Sequence, residues 1–158
     1  MKKVMIVLAI LVTGMAQAQK LKESEVPKAV KDSFAKSFPN IKGVEWSKES
    51  ATEFEAEFKN EGKEQSANFD QAGKWLGTET EIKKSELPQA VQTAIAKEFA
   101  GFKIEEAEKA ETPDKGIFYE VELKKGELNY EVQFSADGKV LTKEEKKEEK
   151  KEKTDDKN

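Results

Sequence analysis

The sequence predicts an α+β fold of two tandem repeats, each one helix followed by about four antiparallel strands, with the helix packed on one sheet face. Ser24-Glu25-Val26-Pro27-Lys28-Ala29-Val30 returns sixty-one positions later as Ser85-Glu86-Leu87-Pro88-Gln89-Ala90-Val91. Phe54-Glu55-Ala56-Glu57-Phe58 and Ala72-Gly73-Lys74 return sixty-five positions later as Tyr119-Glu120-Val121-Glu122-Leu123 and Asp137-Gly138-Lys139. Within each copy the apolar spacing also changes from about 3.6 to 2, the mark of a helix giving way to strands.

The chain opens with Met1-Lys2-Lys3, an apolar run from Val4 to Val12 and a closing Ala16-Gln17-Ala18. A charged start, an apolar stretch too short to span a bilayer and a small-residue end predict a secretory signal peptide, residues 1–18, cut before Gln19. The mature protein is then periplasmic or secreted, with no membrane span.

The first repeat is assigned to 19–82 and the second to 83–141. Pro27 and Pro88 suit the start of a helix, where no amide partner is lost. Val30, Phe34 and Phe38 then share one helical face, as do Val91, Ile95 and Phe99, and Pro39-Asn40 and Gly101 end the two helices. Phe54, Ala56 and Phe58 alternate with glutamates; Leu128, Tyr130, Val132 and Phe134 alternate with Asn129, Glu131 and Gln133. Such strands place one face under a helix and the other in water. Asn60-Glu61-Gly62, Gln71-Ala72-Gly73, Lys125-Gly126 and Asp137-Gly138 read as hairpin turns, and the change of offset places an insertion around Thr112–Gly116. Residues 142–158 hold seven Lys, seven Asp or Glu and no apolar side chain. They are expected to form a solvated, disordered tail.

A helix opened by Val-Pro or Leu-Pro, closed near Phe-Pro or a glycine, and followed by strands with an Asp70-Gln71-Ala72-Gly73-Lys74 or Ala136-Asp137-Gly138-Lys139 hairpin resembles the PepSY-like domain with the β-lactamase-inhibitor-protein-like fold. The resemblance covers roughly Glu23 to Leu141. It implies an exported, non-catalytic, inhibitory or ligand-binding protein and carries over no catalytic residue.

Composition narrows the chemistry. The 158 residues include 28 cationic side chains, all of them Lys, and neither Cys nor His. A Ser-His-Asp or Cys-His nucleophile, a His/Cys zinc site, an arginine finger and a disulfide framework are excluded. Without Lys2 and Lys3, 26 Lys face 32 acids, a net charge of −6. That balance and the absence of Arg disfavour nucleic acid.

The expected function is binding of a protein or peptide partner, cationic in character, through the polar sheet face and hairpin loops. Its candidate residues are Trp46, Glu53, Glu55, Glu57, Glu120, Glu122 and Glu131. Trp46, in the charged stretch Val44–Lys48, is read as a surface anchor. Trp75, matched by Val140, is read as core. A small ligand or cation on the acidic face is the alternative. No catalytic residue, dedicated metal site or cofactor is expected: the turn sequences lack the ligand pattern of a calcium loop, and no carboxylate pair is expected in a setting that would raise its pKa. The oligomeric state is left open.

Overall fold

The computed structural model describes residues 19–146. In chain order the elements are β1 (Gln19–Leu21), α1 (Lys28–Ser37), β2 (Glu45–Lys48), β3 (Glu53–Asn60), β4 (Lys63–Asp70), β5 (Trp75–Glu81), α2 (Gln89–Glu98), β6 (Lys103–Thr112), β7 (Gly116–Lys125), β8 (Leu128–Phe134) and β9 (Val140–Glu145). A short 3-10 turn precedes each helix, at Glu23–Glu25 and Lys84–Glu86. The nine strands pair antiparallel in chain order into one open sheet.

The expected signal peptide lies outside the described residues, as does the tail beyond Lys146. The chain departs from expectation at Thr142–Glu145, which form most of β9 rather than the start of a tail. These side chains bury little, but β8 offers a free ladder edge: Thr142 pairs with Gln133, Glu144 with Glu131, and the Lys146 amide donates to the Asn129 carbonyl at 2.8 Å. Backbone hydrogen bonds hold a segment that side-chain burial would not.

Pro27 and Pro88 sit at the caps of α1 and α2, where their extended backbone turns the chain into the helix. Beneath α1, Val30 and Phe34 meet Trp46, Phe54, Ala56, Phe58, Ala67 and Phe69. Beneath α2, Val91 and Ile95 meet Phe99, Ala107, Val121, Leu123, Val132 and Phe134. The sheet is continuous, but each helix covers its own apolar core.

The turns that close β4–β5 and β8–β9 dock on the helices in the same way. Gly73 and Gly138 have φ of +82° and +85°, and a Cβ on either would lie 2.5 or 2.6 Å from the carbonyl oxygen of Ala29 or Ala90. Only glycine satisfies both the left-handed backbone and the close approach. In each turn the amide of the glycine donates across the loop, to Asp70 O or Ser135 O, at 2.9 Å.

Candidate functional site

Strand register defines a second sheet face, opposite the helices. It carries Ser47 on β2; Glu53, Glu55 and Glu57 on β3; Ser66 and Asn68 on β4; and Glu79 on β5. It continues with Glu106, Glu108 and Ala110 on β6, Phe118, Glu120 and Glu122 on β7, and Asn129, Glu131 and Gln133 on β8. No described helix covers it. The expectation that these side chains stand in water fails at the centre, where Glu55, Ser66, Asn68, Glu79, Phe118, Glu120 and Gln133 are buried. On this face side chains from neighbouring strands stand side by side and shield one another.

Burial changes the carboxylates. Desolvation, then the charges of Glu120 and Glu108, push Glu79 up to about 10. Desolvation, then Glu49 and Glu57, push Glu55 up to about 8; desolvation and Glu120 push Glu108 up to about 7. Glu120 is raised by burial but opposed by hydrogen bonds from Glu79 and Gln133. Glu79 therefore holds the proton and donates it to a carboxylate at Glu120. Gln133 Nε2 supports that charge, donating to Glu120 Oε1 at 2.6 Å, and is itself held by Lys115 Nζ at 3.0 Å from Gln133 Oε1. These pKa shifts overturn the expectation that no carboxylate pair sits in such a setting.

A smaller polar group lies at β2–β3. Ser47 Oγ is 3.0 Å from Glu55 Oε2 and 2.9 Å from Glu49 Oε1. One hydroxyl proton serves only one acceptor at a time, so a protonated Glu55 satisfies the arrangement. Glu55 Oε1, Ser66 Oγ, Glu79 Oε2 and Asn129 Oδ1 remain buried without a hydrogen-bond partner.

The predicted residues distribute unevenly over this face. Glu55 and Glu120 are in its buried centre. Glu53 and Glu57 are half-buried on its first half, both raised mainly by desolvation. Glu122 accepts from Asn129 Nδ2 at 2.8 Å, and Glu131 pairs with Lys146 at 2.5 Å. Trp46 is not a surface anchor: it is 6% exposed and packs edge-on against Phe34, with ring centroids 5.4 Å apart. Its charged sequence neighbours misled because alternate strand residues face opposite ways. Trp75 is the more exposed of the two, half-buried at the margin of the first core, its indole N–H donating to Thr78 Oγ1 at 2.9 Å.

Sequence reasoning missed Glu79 and Glu108. Their signal was present in the alternations Thr78-Glu79-Thr80-Glu81 and Glu106-Ala107-Glu108, but these segments lack the large apolar residues that mark the other strands. The groove beside α2, lined in part by Gln92, Ile95, Phe102 and Ile104, lies away from the carboxylates on the helix side.

The arrangement offers a sheet surface with proton-sharing carboxylates at its centre and anionic groups around them. It can bind cations and hydrogen-bond donors. Among the described residues, no helix is long and apolar enough to cross a membrane.

No curated protein matches the chain. Solved structures do. A protein of a domain family of unknown function from Bacteroides uniformis is 24% identical, with a TM-score of 0.71 over 75% of this chain and 88% of that one. A BLIP-like protein from Bacteroides fragilis is 26% identical, with a TM-score of 0.67 over 75% of this chain and 86% of the other. A Bacteroides eggerthii protein described as a candidate periplasmic protein is 22% identical, with a TM-score of 0.71 over 76% and 88%. The family described as "Putative beta-lactamase-inhibitor-like, PepSY-like" matches residues 14–65 and 52–142, and the chain belongs to that PepSY-like, β-lactamase-inhibitor-like family.

Proposed function

We propose that the chain is an exported, non-catalytic binding module whose polar sheet face, opposite the helices, receives a cationic surface of a protein partner. The observation that carries this is the centre of that face. Glu79, Glu108 and Glu120 are drawn together with Glu55 on the same face, and the ion pairs of Lys20, Lys28, Lys59, Lys63 and Lys146 all go to other acids. A partner's ammonium or guanidinium group would neutralise charges that now depend on protons. Export is supported by the amino-terminal sequence, and a cut before Gln19 leaves β1 whole. Division into two copies is supported by the matched turns and cores, with β5 serving both: its end, with Ile82, corresponds to β1 and Leu21.

The test is capture from periplasmic and secreted proteins at low salt, comparing the full chain with a triple variant Glu53→Lys, Glu57→Lys and Glu122→Lys. These half-buried positions alter the face without forcing Lys into its centre. A partner held by the native chain and lost by the variant is expected; one held equally by both rules out this face. The inhibitory reading suggested by the family description is tested by adding the purified chain to a β-lactamase hydrolysing a chromogenic substrate. An unchanged rate at saturating protein would remove that reading for the enzyme tested.

A further inference from the structure

We propose that Glu79, Glu108 and Glu120 form a site for one hard divalent cation, Ca²⁺ by the chemistry of its ligands, completed by the hydroxyl of Ser66. This goes beyond the partner-binding reading and is tested without any partner.

The three carboxylates come from adjacent strands β5, β6 and β7. Glu108 and Glu120 are directly opposed, and Glu79, opposite Ala110, is diagonal to Glu108. One oxygen from each lies within 4.8 Å of the others. Ca²⁺ accepts a flexible set of carboxylate and neutral oxygens from protein, whereas Mg²⁺ gives up its waters reluctantly and demands near-ideal octahedral geometry. A set held on three backbone ladders therefore suits Ca²⁺ better than Mg²⁺.

A second observation is independent of the carboxylate cluster. Ser66 is 4% exposed, its Oγ has no hydrogen-bond partner, and it stands directly opposite Glu79 in the β4–β5 register on the same face. Glu79 Oε2 is also buried and without a partner. A buried polar atom without a partner costs about 1–3 kcal/mol, so two such atoms on directly opposed residues mark a place where a ligand would recover that loss. Both are hard oxygen donors, and the chain has no His or Cys that would favour Zn²⁺ or copper. Glu108 is only half-buried, which leaves a side open for entry and for coordinating water. Lys115, whose charge acts on Glu120, donates its hydrogen bond to Gln133 Oε1.

Calorimetric titration of the full chain with CaCl₂, at neutral pH and physiological salt, tests the site. The expected result is one Ca²⁺ per chain with a Kd no weaker than the ~0.1–1 mM of extracellular calcium modules, and weaker binding of Mg²⁺. Glu79→Gln and Glu120→Gln should each weaken Ca²⁺ binding by about tenfold or more. Glu45→Gln, an exposed acid on the same face but three strands away from β5, should leave it unchanged. Glu108→Gln, at a half-buried position where folding is least at risk, should weaken binding as well, and Ca²⁺ should raise the melting temperature of the native chain but not of Glu79→Gln. No saturable binding at roughly ten times that concentration overturns the proposal. So does native-like binding by Glu108→Gln, or an equal loss in Glu45→Gln, which would mean diffuse attraction to an acidic surface.

Discussion

Under α1 the core is built from rings: Phe34 meets Trp46 and Phe58 edge-on, and Phe38 stacks at a tilt on Phe58. Under α2 the equivalent helix position is Ile95, the strands supply Val121, Leu123 and Val132, and Phe99 and Phe134 are the buried rings. The row that crosses the sheet shows how one architecture accepts both. In the first half it reads Trp46, Ala56, Ala67; in the second, Ala107, Val121, Val132. One very large side chain beside two small ones is exchanged for one small beside two of middle size, keeping the row filled. The opposite face differs in charge. Ser47 opposes Glu55 in the first half, where Glu108 opposes Glu120 in the second, and Lys20 in β1 is replaced by Glu81 in β5. Packing volume can be redistributed within a row, but each added carboxylate on the shared face shifts the protonation of its neighbours.

The largest expected effect breaks the ring-based core. Trp46→Ala should destabilise the fold by about 3–5 kcal/mol in urea unfolding. Adding Ala56→Val and Ala67→Val, which copies the second half's row, should recover a substantial part of that loss. A triple variant no more stable than Trp46→Ala would show that the two rows are not interchangeable.

Gly73→Ala and Gly138→Ala should each cost about 1–3 kcal/mol, because the new methyl meets a helix carbonyl and the backbone is left-handed. Similar losses in both halves are expected. A loss confined to one would show that the turns are not equivalent anchors.

The carboxylates make a prediction opposite to that for ordinary paired acids. Their folded pKa values lie above the unfolded value of 4.5, reaching about 7 for Glu108, about 8 for Glu55 and about 10 for Glu79. Their contribution is fully present below about pH 4.5 and is lost as pH rises toward those folded values, since the unfolded chain releases its protons first. Without divalent cation, thermal melting should therefore be higher by several degrees at pH 5 than at pH 8. Glu79→Gln should flatten that slope and be the more stable protein at pH 8. A melting temperature that rises over this range would contradict the assignment.

The smallest effect concerns the end of the sheet. Lys146→Ala removes the ion pair to Glu131, whose side chain is only 13% exposed, and should cost about 1–2 kcal/mol, between the values of exposed and buried pairs. Exposed Lys28→Ala, which loses an i,i+4 pair to Asp32, should cost less than Lys146→Ala under the same conditions.

Much of the fold was legible because the sequence states it twice. Val30, Phe34 and their counterparts mark the helices, Phe54–Phe58 and Leu128–Phe134 the strands, and Gly73 and Gly138 the docked turns. What was hidden depends on the third dimension. β4 and β6 each carry one large apolar residue at a core position, Phe69 and Ile104, with alanine and polar residues at the others, so their alternation is faint until the sheet supplies neighbours. Trp46 was misread because local charge says nothing about which way a strand residue points. Glu79 and Glu108 became visible only when β5, β6 and β7 lay side by side, since they are 29 positions apart in sequence but share one patch of the sheet.

The two ends of the sheet carry a consequence for assembly. A ladder that simply repeats its pairing rule has no internal reason to stop at nine strands, and an exposed outer strand invites another chain to continue it. Here one outer strand is three residues long with Lys20 at its middle, and the other bears Lys143, Glu144 and Glu145 in succession. Brevity at one margin and dense charge at the other cap the ladder, working against filament growth from a fold whose interior pairing would otherwise be easy to extend.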